Sequence, residues 1–282
     1  RGVLPKHPRL RRGRPIARFA AAAAVEALGA RRMAAVAAGE LNLGVICTLM
    51  NGCVNYSIRF FAEALADPSL ASPILFPETV FNAPSSHLSA LFGSTGPNDT
   101  LLGDNAALLP ALEVAADWLG RGEVDGCLVV GAEESDWLST EGLGYYSRDY
   151  VASEGAGAVF LEAADSGGVR LVSVPDPVSL AAGREAAAVL LRERLAVTDD
   201  GRTLLVDGCA GVARWDRPEE LAWAGWSGPR HSPRRILGEG MGASAAWQMV
   251  VAVEALCAGG ADRAVVSAVG GNQQAAGAVL ER

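Results

Sequence analysis

The chain has 282 residues, half of them apolar, with a net charge of −8 and an isoelectric point near 5.0. That length supports one large domain or two fused halves. The acidic balance gives no reason to expect nucleic acid or an acidic membrane surface as partner, and no stretch approaches the roughly 20 apolar residues of a membrane span.

Five arginines, Arg9, Arg11, Arg12, Arg14 and Arg18, crowd the start, followed by an alanine run over 20–24. Arg18 and Glu26 interrupt the apolar core that a secretion signal needs, so this stretch reads as an exposed basic arm leading into a helix over 15–30. The chain opens at Arg1 and not at methionine, and further sequence is expected upstream. A strand is predicted at 43–50, a helix at 55–66, a strand leading to Gly103, a helix ending near Gly120, and strands at 127–131 and 156–161. The second half reads as a strand at 170–174, a helix at 183–195 and a strand at 203–206. Next comes WDRPEELAWAGWSGPRHSPRR (215–235), rich in Pro, Gly and Trp and expected to be irregular. A glycine corner, a helix and two strands close the chain. Cys47, Cys53, Cys127, Cys209 and Cys257 are scattered and lack the close pairs of zinc sites or of a disulfide framework. They fit a reducing cytoplasm, with no metal expected.

The last elements repeat earlier ones. ILGEGMGASAAWQMVVAVEALCAGGADRAVVSAVGGN, from Ile236, lies over LLGDNAALLPALEVAADWLGRGEVDGCLVVGAEES, from Leu101, with about two residues inserted after the corner. Gly122 then falls on Gly259, Asp125 on Asp262, and GAGAVFLE from Gly155 on AAGAVLE from Ala275. Short continuous apolar runs alternating with helices indicate strands buried on both faces beneath helices. The expectation is a layered α/β pseudo-duplicate with halves 1–164 and 165–282.

The corner after Gly103 is where such a layout places a nucleophile, because unpaired N–H groups at a helix start stabilise a thiolate. It holds Asp104 and Asn105. A carboxamide either caps the helix or holds a hydrogen bond beside a bound thioester; it cannot form an acyl-enzyme. Pro110 removes a backbone bond, so the helix starts later or kinks.

Several stretches together resemble the thiolase superfamily, and within it the β-ketoacyl-ACP synthases of fatty-acid and polyketide assembly. SPILFPETVFNAPSSHLSALFGSTGPNDT looks like the segment preceding the family's nucleophile, SRDYVASEGAGAVFLE like the strand ending its first half, and SAVGGNQQAAGAVLER like its Gly-Gly closing strand. The resemblance implies a thiolase-like α-β-α-β-α sandwich, shortened relative to a full ketosynthase. The departures are as informative. The family's cysteine falls on Asn105, its first histidine on Cys209, its second on Glu239 with Arg234 in place of the preceding lysine, and its gating phenylalanine on Val269 or Ser267. The resemblance therefore implies a subunit without condensing chemistry, like a chain length factor. Such a subunit pairs with a cysteine-bearing ketosynthase and shapes the tunnel for acyl chains carried on an acyl carrier protein, with no cofactor. Asp104, Asn105, Cys209, Glu239, Val269, Gly270 and Gly271 are the expected pocket residues, and Arg234 and Arg235 the expected carrier contacts. Family members dimerise through the strand preceding the nucleophile, about 93–102 here.

Two other readings stay open. Cys209, with Asn105 and Glu239, would make a self-contained acyl-thioester decarboxylase or hydrolase, although a carboxylate beside a thiol disfavours the thiolate. Gly238, Gly240 and Ala243 match a Gly-x-Gly-x-x-Ala dinucleotide corner, with Asp262 as the acidic residue, which would make an oxidoreductase. Glu133 and Glu134 are expected to serve in structural hydrogen bonds, His87 to lie in an interface helix and His231 in a solvated loop. The four other cysteines are expected in the core.

Overall fold

The computed structural model describes residue 10, residues 15–163 and residues 167–282; Arg9, Arg11, Arg12 and Arg14 of the basic start lie outside the described residues. In chain order the first half contains α1 (Pro15–Ala37), β1 (Leu43–Leu49), α2 (Val54–Ala66), α3 (Ala83–Phe92), β2 (Asn98–Leu102), α4 (Leu108–Gly120), β3 (Gly126–Glu133), α5 (Trp137–Tyr146) and β4 (Gly155–Glu162). There follow β5 (Arg170–Ser173), β6 (Val178–Ser179), α6 (Arg184–Leu195), β7 (Leu204–Val206), α7 (Ala213–Ala222), β8 (Arg230–His231), α8 (Arg234–Leu237), α9 (Ser244–Cys257), β9 (Arg263–Val269) and β10 (Gln274–Glu281).

Strands β1 and β3 are buried along their whole length. They read as unbroken apolar runs because helices cover both faces of their sheet. That sheet has the order β2-β1-β3-β4, with β2 and β3 parallel to β1 and β4 antiparallel to β3. In the other sheet β8, β7 and β9 run parallel, β10 is antiparallel to β9, and β5 and β6 pair with the far side of β10. Order and sense are repeated, so the duplication in the sequence is also one of topology.

Helices α4 and α9 form the middle layer. Leu108, Leu112 and Ala115 of α4 and Ala245, Met249 and Leu256 of α9 share one core with Ile46 and Val129 of the first sheet and Val206, Val266 and Ala278 of the second. A helix enclosed by two sheets has to be apolar over most of its circumference, and both are. The outer face of the first sheet, through Val45, Cys47, Leu128 and Val130, packs α1 and α3. The outer face of the second, through Leu205, Val265 and Val279, packs α6 and the end of α7. The layers therefore run helix, sheet, helix, sheet, helix. Close approach of α9 to the first sheet requires glycine at Gly131 and Gly157, where a Cβ would meet Ala246.

Three expectations need correction, and one helix was not foreseen. Helix α1 does not end at 30: Gly29, with φ 68° and ψ 166°, breaks it, and it resumes to Ala37. The segment 215–235 is not irregular, since α7 and α8 lie in and beside it, and Pro218 sits inside α7. Tertiary anchoring outweighs the proline there, because Asp216, Glu219 and Ala222 of α7 are buried. Helix α5, which the sequence did not suggest, buries none of its residues and so lacks an apolar stripe. Cys257 is exposed in the last turn of α9, whereas Cys47, Cys53 and Cys127 are buried, with thiols pushed up to about 12 by burial.

Candidate functional site: a cavity at the strand ends

The C-terminal ends of parallel strands are where helix-starting loops leave a sheet, and a cavity forms there. Met50 follows β1, Asp104 and Asn105 follow β2, Gly208 follows β7, and Val269, Gly271 and Asn272 close β9 around a narrow space of about 60 Å³. Leu143, Tyr146 and Tyr150 cover it from the α5 side, and Trp215, Asp216 and Glu219 come from α7. Arg184, Arg234, Glu239 and Met241 complete the lining.

Asp104 builds the corner. Its Oδ1 accepts the Ala106 N–H, and its Oδ2 accepts the N–H groups of Asn272 and Gln273, both at 3.1 Å. Its own N–H donates to the Gln273 side chain. The corner is thereby fastened to the closing loop, and Gly270 has to be glycine because a Cβ would meet the Asp104 carboxylate. Helix α4 begins at Leu108, after this turn, so Pro110 lies in the first helical turn, where a missing N–H costs nothing. Asn105 is consequently not the cap: it is buried, lines the cavity and makes no hydrogen bond among the described residues.

The structure separates the other two family positions. Glu239 pairs with Arg234 and accepts from the Met241 N–H at 2.8 Å and the Ser244 hydroxyl at 2.9 Å. Arg234 also donates to the Gly208 carbonyl. Cys209 is fully buried and absent from the lining, and no hydrogen bond joins it to Glu239 among the described residues. Its sulfur lies 3.6 Å from Arg230 Nη2. Burial first, then the carboxylates of Glu219, Asp207 and Asp216, push its thiol well above the ordinary range, which removes the thiolate a nucleophile needs. Cys209 Sγ also comes within 4.8 Å of carboxylate oxygens of Asp216 and Glu220. Arg235 lies against both of those carboxylates and Arg230 against the sulfur, so guanidinium groups already answer the negative charge of this cluster.

Of the expected carrier contacts, Arg235 is half exposed, but Arg234 is buried and ion-paired and does not reach the surface. Ser267 is buried away from the cavity and accepts from the Trp223 indole N–H. His87 lies in α3, 2.7 Å from Glu78, and His231 is exposed in β8.

The dinucleotide reading is corrected as well. The N–H groups that would receive a phosphate are taken by the protein's own side chains: Gly240 donates to Ser244, Met241 to Glu239 and Gly242 to Glu133. The glycines answer to packing, since a Cβ at Gly240 would strike Trp247 and one at Gly238 the Val151 carbonyl. Glu133 is structural, as expected, accepting from Met50, Asn51, Gly52 and Gly242. Glu134 likewise accepts from Ile16 and Asn55.

The sequence reading missed Arg184, Trp215 and Glu219. Trp215 packs edge-on against Tyr146 with centroids 5.5 Å apart, and the Arg184 guanidinium stacks 4.5 Å above its ring. Burial, followed by the neighbouring Asp207, pushes the Glu219 carboxyl up to about 7. Its Oε2 accepts the Gly208 N–H at 3.1 Å, while its Oε1 is buried without a partner. Asp216 and Glu219, three apart, would have marked one helix face had that segment been read as helical.

No curated protein matches the chain in sequence. Among solved structures, a β-ketoacyl synthase from Burkholderia phymatum STM815 is similar with a TM-score of 0.81 at 16% identity, covering 99% of this chain and 86% of that one. The ishigamide ketosynthase/chain length factor gives 0.79 at 20% identity, covering 95% and 81%. A type II polyketide synthase acyl-carrier protein in complex with its ketosynthase bound to the hexaketide gives 0.78 at 15% identity, covering 100% and 86%. At these identities the likeness is one of fold. The sequence itself matches the model of the β-ketoacyl synthase N-terminal domain over residues 4–166, more than half of its length, and the chain belongs to the β-ketoacyl synthase family.

Proposed function

We propose that this chain is a non-catalytic, chain length factor-like subunit that pairs with a cysteine-bearing β-ketoacyl synthase and helps shape the tunnel for acyl chains on a carrier protein. The observation that carries the reading is the content of the cavity. At the corner where the family places its nucleophile stands Asn105, and among the described residues the lining holds no cysteine, histidine or serine. Where the family's second histidine would act, Glu239 is neutralised by Arg234. A carboxamide beside an ion pair neither attacks a thioester nor accepts the proton of a condensation. The likeness to a ketosynthase/chain length factor supports the same reading. Arg235, half exposed near the cavity, is the proposed contact for the carrier's phosphate. The reading calls for no cofactor and no metal.

The test is gentle purification of the tagged protein from its host, coupled to analysis of acyl products with and without it. A stoichiometric, cysteine-bearing ketosynthase and a change in product length on deletion are expected. A homodimer without such a companion, in cells whose products keep their length, overturns the proposal.

A further inference from the structure

Helix α5 stands apart from the packing of the rest of the chain. None of its ten residues is buried. Two of them, Gly142 and Gly144, weaken the helix without serving a close approach, since a Cβ at either would meet nothing within 4 Å. The segment that carries α5 leaves and rejoins the fold at one place. The Ser135 N–H donates to the Glu154 carboxylate at 3.1 Å, and Ala152 and Ser153 pair with Glu239, which closes the base of the loop. Asp136 and Ser147, at the two ends of the helix, have extended backbone. Such element-terminal residues are where a hinge turns.

Although unburied, α5 covers the cavity through Leu143 and Tyr146. One residue of α7 holds it there. The Trp215 indole N–H donates to the Tyr146 carbonyl at 3.3 Å, and the Tyr146 ring stands edge-on to the indole. No other hydrogen bond, and no salt bridge, ties α5 to residues outside 135–147 among the described residues. Trp215 itself is firmly placed. The Arg184 guanidinium stacks on its ring and is bound in turn to the Gly270 and Val269 carbonyls, while the neighbouring Asp216 is buried and accepts two backbone N–H groups.

We propose that α5 is a lid over the cavity, hinged at Asp136 and Ser147 and latched shut by Trp215. A helix with few buried contacts opens at little cost, on the microsecond to millisecond scale of such motions. Closed, the space of about 60 Å³ has room for a few water molecules only. Release of the Tyr146–Trp215 contact swings Leu143 and Tyr146 away and joins that space to solvent. The inference goes beyond the partner-subunit reading, and its outcome is independent of the pairing experiment.

The test puts a thiol inside the closed cavity. Asn105→Cys, in a full chain whose exposed Cys257 is changed to serine, is treated with iodoacetamide at a series of urea concentrations below the unfolding transition, and labelling at position 105 is followed by peptide mass spectrometry. Labelling at a rate nearly independent of urea is expected, because lid motion exposes little surface whereas global unfolding exposes much. Trp215→Ala, added to this chain, should raise the rate at least about tenfold, since it removes the ring contact and the hydrogen bond together. Trp215→Phe keeps a ring without the N–H and should fall between. Leu221→Ala, on the exposed side of the same helix, should leave the rate unchanged. Labelling that appears only with global unfolding, a rate indifferent to both Trp215 substitutions, or an equal acceleration by Leu221→Ala overturns the proposal. Should Trp215→Ala not fold, Trp215→Phe and the urea series decide.

Discussion

Glu133 accepts four backbone N–H groups, from the loop after β1 and from the start of α9, so one carboxylate holds two layers together. In Glu133→Gln one oxygen becomes an NH2 group, and two of those donors lose their acceptor. An unsatisfied buried group costs about 1–3 kcal/mol, so a loss of several degrees in Tm is expected on thermal unfolding, with the fold intact by circular dichroism. Burial pushes Glu133 and Glu219 up to about 7 from an ordinary 4.5, so between those values the folded chain binds more protons than the unfolded one. Stability contributed by these protons is complete below about 4.5 and is lost as pH rises through about 7. Denaturant midpoints measured across that window should decline with pH, and Glu219→Gln should flatten part of the decline; a midpoint that rises throughout would sink the assignment. Asn105→Cys makes a separate point. A thiol at the corner gains no imidazole, because among the described residues no histidine lines the cavity. Assays with acyl and malonyl thioesters should therefore detect no condensation product from that variant.

Element by element, the strands and the middle helices were legible because burial on two faces leaves an unbroken apolar signature, as in LGVICTL of β1. Helix α7 was not, because its anchors are charged: Asp216 accepts the Ala210 and Gly211 N–H groups, and Glu219 that of Gly208. A helix held by buried carboxylates has no apolar period to read. The site suffered the same way. Asn105 and Glu239 were found through the corners they occupy, whereas Arg184 belongs to an ordinary amphipathic helix with no local mark of its role. The start of α9 shows the constraint a corner imposes. A Cβ at Gly242 would meet Leu49 Cα and the Ala132 carbonyl, neither of which moves freely, while one at Gly142 of α5 meets nothing within 4 Å. Gly242→Ala should destabilise by about 2 kcal/mol or more through overpacking, and Gly142→Ala should stabilise by about 0.5–1 kcal/mol through helix propensity. Unfolding curves of the pair separate packing from propensity.

At the scale of the whole molecule the inner strands are covered by helices, whereas the edge strands β2, β5 and β8 are largely exposed. The duplication and the five layers could be read from repeated corners, whereas the pairing strand at about 93–102 was expected only through the family resemblance, because a sequence pattern by itself does not say which strand lies outermost. β2 is an edge of the first sheet, paired on one side only, to β1. Leu102 on β2 is 52% exposed, and nearby Phe81 borders the same shallow depression. The end of α2 adds exposed Phe61 and Leu65, and the stretch between α2 and α3 adds exposed Leu70, Ile74 and Phe76. Exposed apolar residues beside an open strand edge are the usual mark of a protein interface, and on the proposed function this is the face that meets the ketosynthase. Leu102→Arg places a charge there without touching either core, so the isolated chain should keep its stability to within about 0.5 kcal/mol. A charge buried unpaired in an interface costs several kcal/mol, so recovery of the partner on affinity purification should fall at least about tenfold. If Leu102→Arg retains the partner in full, the subunits meet elsewhere, and β2 is an edge of the sheet and nothing more.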